Sequence, residues 1–117
     1  MPKTLFILND PPYGTERSFN GLRLATALAK ADNEEVFVFL MGDGASCGKG
    51  NQKVPAGHYN IEVMLQSVAR HGGKVGVCSS CMDARGIADA ELVEGTHRSS
   101  MDELTRWTID ADKVLVF

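Results

Sequence analysis

The stretch KVGVCSSCMDARG, residues 74–86, holds the side chains best suited to chemistry: Cys78 and Cys81, separated by two serines and followed by Arg85-Gly86. Two thiols at this spacing can be half of a zinc site, a dithiol that cycles through a disulfide, a single nucleophile with a neighbour, or packed apolar filler. A structural zinc site needs four ligands. Cys47, His58, His71 and His97 are the other thiol and imidazoles, and none of them forms a second paired motif. A thioredoxin-like dithiol follows the first strand of its unit and opens a long helix. Here Arg85-Gly86 breaks the turn soon after the pair. A lone nucleophile at Cys78 would sit at a strand end expected to face solvent, where the following helical turn offers free N–H groups that favour a thiolate. Arg85 would add positive charge there and Asp83 would oppose it. Such a thiolate can accept a sulfane sulfur and hand it on as a persulfide, with Cys81 as resolving thiol, second carrier or packed neighbour. Residue types and spacing leave these alternatives open.

The segment GDGASCGKGNQKVPAGH, residues 42–58, is the other unusual stretch. Its start approaches a dinucleotide fingerprint, but Cys47 stands where the third glycine belongs, and no phosphate-loop register exists. It reads as one long irregular, mobile loop that could cover the Cys78 edge. The histidines read as solvent-facing or structural, and no Ser-His-Asp order or carboxylate pair stands out.

Those side chains must be held by the elements around them. The apolar run KTLFILN, residues 3–9, predicts a first strand, stopped by Pro11-Pro12. Phe19, Leu22, Ala25 and Ala29 recur at helical spacing, with Thr15 as N-cap and Asp32-Asn33 as the end. VFVFLM, residues 36–41, is apolar throughout, as a strand buried on both faces must be. Residues 60–71 predict a second helix with Ile61, Met64, Leu65 and Val68 on one face, ended by Gly72-Gly73. KVGVC is a third strand. Residues 79–91 give one or two short helical turns, and 93–97 a short fourth strand. Ser99 or Ser100 then caps a helix carrying Met101, Leu104 and Trp107, and KVLVF, residues 113–117, closes the chain as a strand. Alternation of this kind predicts an α/β fold with a parallel sheet and helices on both faces. In such a sheet the C-terminal strand ends share one edge, where ligands bind. The pocket candidates along it are Asn9, Asp10, Tyr13, Asp43 and Arg85, beside Cys78.

Composition restricts the function classes. The chain has 117 residues, enough for one domain spanning 1–117, with 44% apolar and 23% charged residues. The net charge of −3 disfavours non-specific nucleic-acid binding. No apolar run is long enough to cross a bilayer. MPKTLFILND reads as a strand and not as a signal peptide, so reduced thiols in the cytoplasm are expected.

Five stretches together resemble the DsrE/DsrF-like (TusD-related) sulfur-relay family: PYGTERSFNGLRLATAL at 12–28, FLMGD at 39–43, YNIEVML at 59–65, CSSCMDARGI at 78–87 and LTRWTIDADKVLVF at 104–117. The likeness runs from one end of the chain to the other, and it is greatest to the YchN-like branch. It implies a three-layer α/β/α domain with a mostly parallel five-stranded sheet, assembled as a homo-oligomer, usually a trimer or hexamer. In TusD-like and DsrE-like members a cysteine shortly before an Arg-Gly carries the persulfide. By spacing that position is Cys78, eight residues before Gly86. The second cysteine, Cys81, is shared with the YchN-like branch. The expected activity is therefore a sulfur carrier, or sulfurtransferase, working between a donor and an acceptor protein. Neither a cofactor nor a metal is needed, because cysteine supplies the chemistry. A non-catalytic oligomeric module that holds a small ligand or protein tail, and a thiol-disulfide sensor using Cys78 and Cys81, are the alternatives.

Overall fold

The computed structural model describes residues 1–117. Five strands alternate with helices: β1 (Lys3–Leu8), α1 (Arg17–Lys30), β2 (Glu35–Leu40), α2 (Ile61–Arg70), β3 (Lys74–Cys78), α3 (Ser79–Ala84), β4 (Thr96–Ser99), α4 (Met101–Asp110) and β5 (Lys113–Val116). The sheet order is β4-β3-β2-β1-β5, and every neighbouring pair is parallel. The α/β class and five-stranded sheet expected from the sequence are present, with parallel pairing throughout.

Period-two alternation splits the sheet residues between two faces. Phe6, Leu8, Val36, Val38, Leu40, Val75 and Val77 form one core with Leu22 and Ala25 of α1 and Ile61, Leu65 and Val68 of α2. The opposite face carries a smaller cluster, in which Leu5, Phe39 and Cys78 meet Leu104 of α4 and Trp107 packs alongside. Trp107 lies 5.2 Å from Phe37 and 6.4 Å from Phe39, ring centre to ring centre. Gly76 makes room for that contact. A Cβ there would fall 2.9 Å from Ser99 Cβ and 3.2 Å from the Trp107 ring.

The predicted ends shift where hydrogen bonds find better partners. Thr15 does not cap α1; its hydroxyl donates to Asp10 Oδ2 at 2.8 Å, and the helix starts after Glu16 with no side-chain cap. Asn60 caps α2, its Oδ1 accepting the Val63 N–H. Beyond α2, Gly72 takes φ +90°, and the Gly73 N–H reaches the Val68 carbonyl at 2.9 Å, closing the helix with the usual glycine stop. Ser100 caps α4 by accepting the Glu103 N–H. Of the three apolar residues carried by α4, Leu104 is buried and Met101 is 59% exposed.

The largest correction concerns residues 42–58. Gly42–Gly48 is not an irregular cover but a 3-10 helix, with Gly44, Ala45, Cys47 and Gly48 buried. Two of its glycines serve close packing: a Cβ on Gly44 would fall 2.0 Å from the Leu8 carbonyl oxygen of β1, and one on Gly48 would fall 2.9 Å from Val77 of β3. Residues 49–58 carry the remaining loop.

Candidate functional site

Cys78 is the last residue of β3 and the N-cap of α3. Three local features make this junction. β3 is buried through Val75–Cys78, which fixes its register beside β2 and β4. Helix α3 is short because Gly86 adopts φ +66°. The Ile87 N–H then bonds the Met82 carbonyl at 3.0 Å and the Gly86 N–H bonds Asp83 at 3.2 Å, the pairing of a glycine-stopped helix end. Met82 and Ile87 accompany that turn into the main core, so the chain leaves β3 on the α1/α2 side. After β4 it leaves on the opposite side, where Leu104 of α4 packs. Cys78 and its register partner Ser99 therefore flank the point where successive connections change faces, the place where open α/β sheets form a ligand crevice.

The Cys78 sulfur is surrounded by donors. Ser80 Oγ lies 3.5 Å away. Burial opposes ionisation of Cys78, but hydrogen bonds from the Cys81 thiol, the Ser80 hydroxyl and the Cys81 and Ser80 backbone N–H groups outweigh it, and the thiol lies below its ordinary value. Cys81 moves the other way: burial, its hydrogen bond to Cys78 and the charge of Cys78 push it up, against the Gly42 N–H and Arg85. The Gly42 N–H donates to Cys81 Sγ at 3.2 Å. Of the pair, Cys78 is thus the easier thiol to ionise and Cys81 the harder.

Cys78 is only 8% exposed, so the expectation of a solvent-facing sulfur is corrected: Ser99 and α4 close over the strand end. Cys81, one turn on, is the more accessible of the two.

Of the pocket candidates, two stand by the thiols. Arg85 donates to Asp43 Oδ1 at 2.7 Å and to the Cys81 carbonyl at 3.1 Å, tying α3 to the turn after β2. Asn9, Asp10 and Tyr13 belong elsewhere. Asn9 bonds the Phe117 carbonyl beside β5. The Asp10 carboxylate accepts from Thr15, and its carbonyl accepts from Ser18 and Cys47. The Tyr13 hydroxyl accepts the Ile61 N–H and its ring packs on Tyr59 and His58. A cleft of about 220 Å³ opens there, lined by Tyr13, Lys53, Val54, Pro55 and His58 and sharing no residue with the Cys78 cluster. Cys47 is buried, and desolvation pushes its thiol up to about 12, partly offset by Ser18 and reinforced by Asp10. No three His, Cys, Asp or Glu side chains converge as metal ligands would.

The structure adds residues that sequence reasoning missed. Arg98 on β4 donates to Ser79 Oγ at 2.6 Å, Asp83 at 3.1 Å and Asp89 at 2.6 Å, clamping the first turn of α3 to the sheet. Ser99 and His97 both contact Glu103 Oε1. Burial disfavours the Glu103 carboxylate, but the Ser99 and His97 hydrogen bonds overcome this and hold it below its ordinary range.

A sequence profile of the DsrE/DsrF-like family matches residues 2–117. The chain belongs to the DsrE/DsrF-like family. Among the relatives of this DsrE/DsrF-like chain, Protein YchN of Escherichia coli K12 is 41% identical over 118 residues, covering all of both chains. The Methanopyrus kandleri protein MK0008 is 33% identical over 111 residues, covering 95% of this chain and 90% of its own. The crystal structure of E. coli YchN superposes with a TM-score of 0.86 at 38% identity over the full length of both. The MTH1491 protein of Methanobacterium thermoautotrophicum, at 13% identity and a TM-score of 0.75 with full coverage of both chains, shares the fold. No helix of this DsrE/DsrF-like chain is long and apolar enough to cross a membrane.

Proposed function

We propose that this protein is a cytoplasmic sulfur carrier that holds sulfane sulfur as a persulfide on Cys78. The observation that carries the reading is the set of donors converging on one sulfur: a neighbouring thiol, the Ser80 hydroxyl and two backbone N–H groups at the start of α3. Membership in the DsrE/DsrF-like family supports the same chemistry. In the loading step the Cys78 thiolate attacks the terminal sulfur of a donor persulfide. A Cys78 S–S bond forms, the donor S–S bond breaks, and the donor leaves as a thiolate. Unloading is the same exchange with an acceptor thiolate. The donors around Cys78 stabilise the anion present before loading and again after unloading.

The assembly proposed with this activity is a homo-oligomer, a trimer or hexamer. Val114 is 41% exposed and Val116 65% exposed on the α4 side of the sheet edge, and Ile109 of α4 is 77% exposed. A second copy covering these side chains would bury apolar area that a 117-residue chain leaves in water.

Treatment with inorganic polysulfide followed by intact-mass and peptide analysis tests the carrier. A gain of about 32 Da, one sulfur atom, should map to the Cys78 peptide and be absent from Cys78→Ser. Sulfur found instead on Cys47, or equal loading of the Cys78→Ser protein, would refute it.

A further inference from the structure

Cys81 follows Cys78 by three residues on the first turn of α3, packs against the cluster that holds Cys78, and its sulfur accepts an N–H from Gly42 just beyond β2. Gly42 holds this thiol by its backbone amide at 3.2 Å, and Arg85 holds the residue through the Cys81 carbonyl at 3.1 Å. Two thiols three residues apart at the start of a helix have the spacing of a Cys-x-x-Cys disulfide.

We propose that Cys81 is the resolving thiol of this site: it discharges a persulfide on Cys78 as sulfide and leaves a Cys78–Cys81 disulfide. The step rests on the sulfur-carrier reading and deepens it. The Cys81 sulfur attacks the inner sulfur of the Cys78 persulfide, which is the Cys78 Sγ itself. The Cys78–Cys81 S–S bond forms and the bond to the terminal sulfur breaks. The terminal sulfur leaves as hydrosulfide and takes the Cys81 proton, so one persulfide and one thiol become one disulfide and one hydrogen sulfide. The sulfane sulfur is reduced by two electrons, and the two cysteines are oxidised by the same two. A dithiol reductant returns the pair to its starting state, so the site consumes a persulfide and a dithiol and yields sulfide.

The physical argument is one of charge and distance. Burial is the first influence that raises Cys81, and its hydrogen bond to Cys78 and the Cys78 charge add to it. Once Cys78 Sγ is bonded to another sulfur it is no longer an anion. The Gly42 N–H and the Arg85 charge, which both favour the anionic form of Cys81, then act with less opposition. Loading Cys78 thereby removes part of what opposes an anionic Cys81, while burial continues to oppose it.

The test loads wild type, Cys81→Ser and Cys81→Ala with inorganic polysulfide, removes excess reagent, and follows peptide masses and released sulfide over time. In wild type the peptide spanning both cysteines should lose about 2 Da relative to its reduced mass as sulfide appears in equal amount. Both Cys81 variants should keep the added sulfur on Cys78 roughly tenfold longer and release little sulfide. If wild type and the variants all keep the added sulfur equally long, the resolving role is wrong and the carrier stands. If none of the three gains sulfur and wild type forms no disulfide, the carrier reading itself fails and takes the resolving step with it.

Discussion

Arg85 and Asp43 form an ion pair of 2.7 Å that joins α3 to the turn after β2, so the cation beside Cys81 is held by a residue from a different strand end. The pair is partly in water, so its worth is kinetic and electrostatic more than structural. Arg85→Ala should change unfolding free energy by less than about 1 kcal/mol. It should also push the Cys81 thiol further up, since Arg85 is one of the groups pulling it down. A pH series of iodoacetamide labelling read at the Cys81 peptide checks this. A faster Cys81 in the variant would overturn it.

Cys78 should be the first thiol alkylated at neutral pH, ahead of Cys81 and Cys47. Ionisation favours Cys78 while access favours Cys81, so the order reports which effect governs. Ser80→Ala removes a hydroxyl that stabilises the thiolate and should shift the Cys78 labelling curve to higher pH. Labelling of Cys81 first in wild type, with Cys78 silent, would show that burial wins.

Glu103→Gln should cost about 1–2 kcal/mol at neutral pH, the worth of a carboxylate accepting two hydrogen bonds. The folded carboxylate lies below its ordinary value of 4.5, so its contribution is complete above that value. It is lost as the pH falls through 4.5 toward the folded pKa. Urea titrations of both proteins should therefore differ at pH 7 and converge in that acid window. A difference that grows on acidification would contradict the assignment.

Gly44→Ala should destabilise by about 3 kcal/mol. The Cβ would meet the Leu8 carbonyl at 2.0 Å, and a backbone oxygen in the middle of the fold has little room to yield. Unchanged thermal unfolding would mean that the 3-10 helix can lift off the end of β1.

Sedimentation equilibrium should give a mass three or six times the 12.6 kDa chain. Val116→Glu, placed on the exposed sheet edge, should move the protein toward smaller species. A single species at the chain mass in wild type would remove the proposed assembly.

The sequence reveals this fold through its long-period signals and hides the site in its short ones. The runs at β1, β2 and β3 hold four or five consecutive non-polar residues, which is hard to mistake for anything but buried strands. β4 reads THRS and has no apolar alternation, because it lies at the sheet edge and uses its side chains for Ser99–Glu103 and the Arg98 clamp. The fourth strand therefore starts three residues later than the sequence pattern predicts, and nothing in that pattern marks Arg98 or Glu103. Cys78 was visible through its spacing, yet its burial depends on α4 returning across the sheet, a contact between residues distant in sequence. Asn9 and Tyr13 were placed with Cys78 because all strand ends share an edge. The edge is five strands wide, and β2 separates β1 from β3. Glycines at 42–48 suggest freedom, whereas the missing side chains at Gly44 and Gly48 let the backbone lie close against β1 and β3.

Burial of Cys47 turns this third sulfur into a built-in gauge of the whole molecule. With its thiol pushed up to about 12 and its side chain enclosed, it is chemically silent as long as the fold is closed. Every molecule that reacts at Cys47 has first opened. Its labelling rate, divided by that of an unfolded cysteine, then gives the population of the open form. Any reagent used on the Cys78–Cys81 pair carries its own integrity control in the same spectrum: modification of the pair with Cys47 untouched is chemistry of the native protein, and modification of all three together is chemistry of a chain that has come apart.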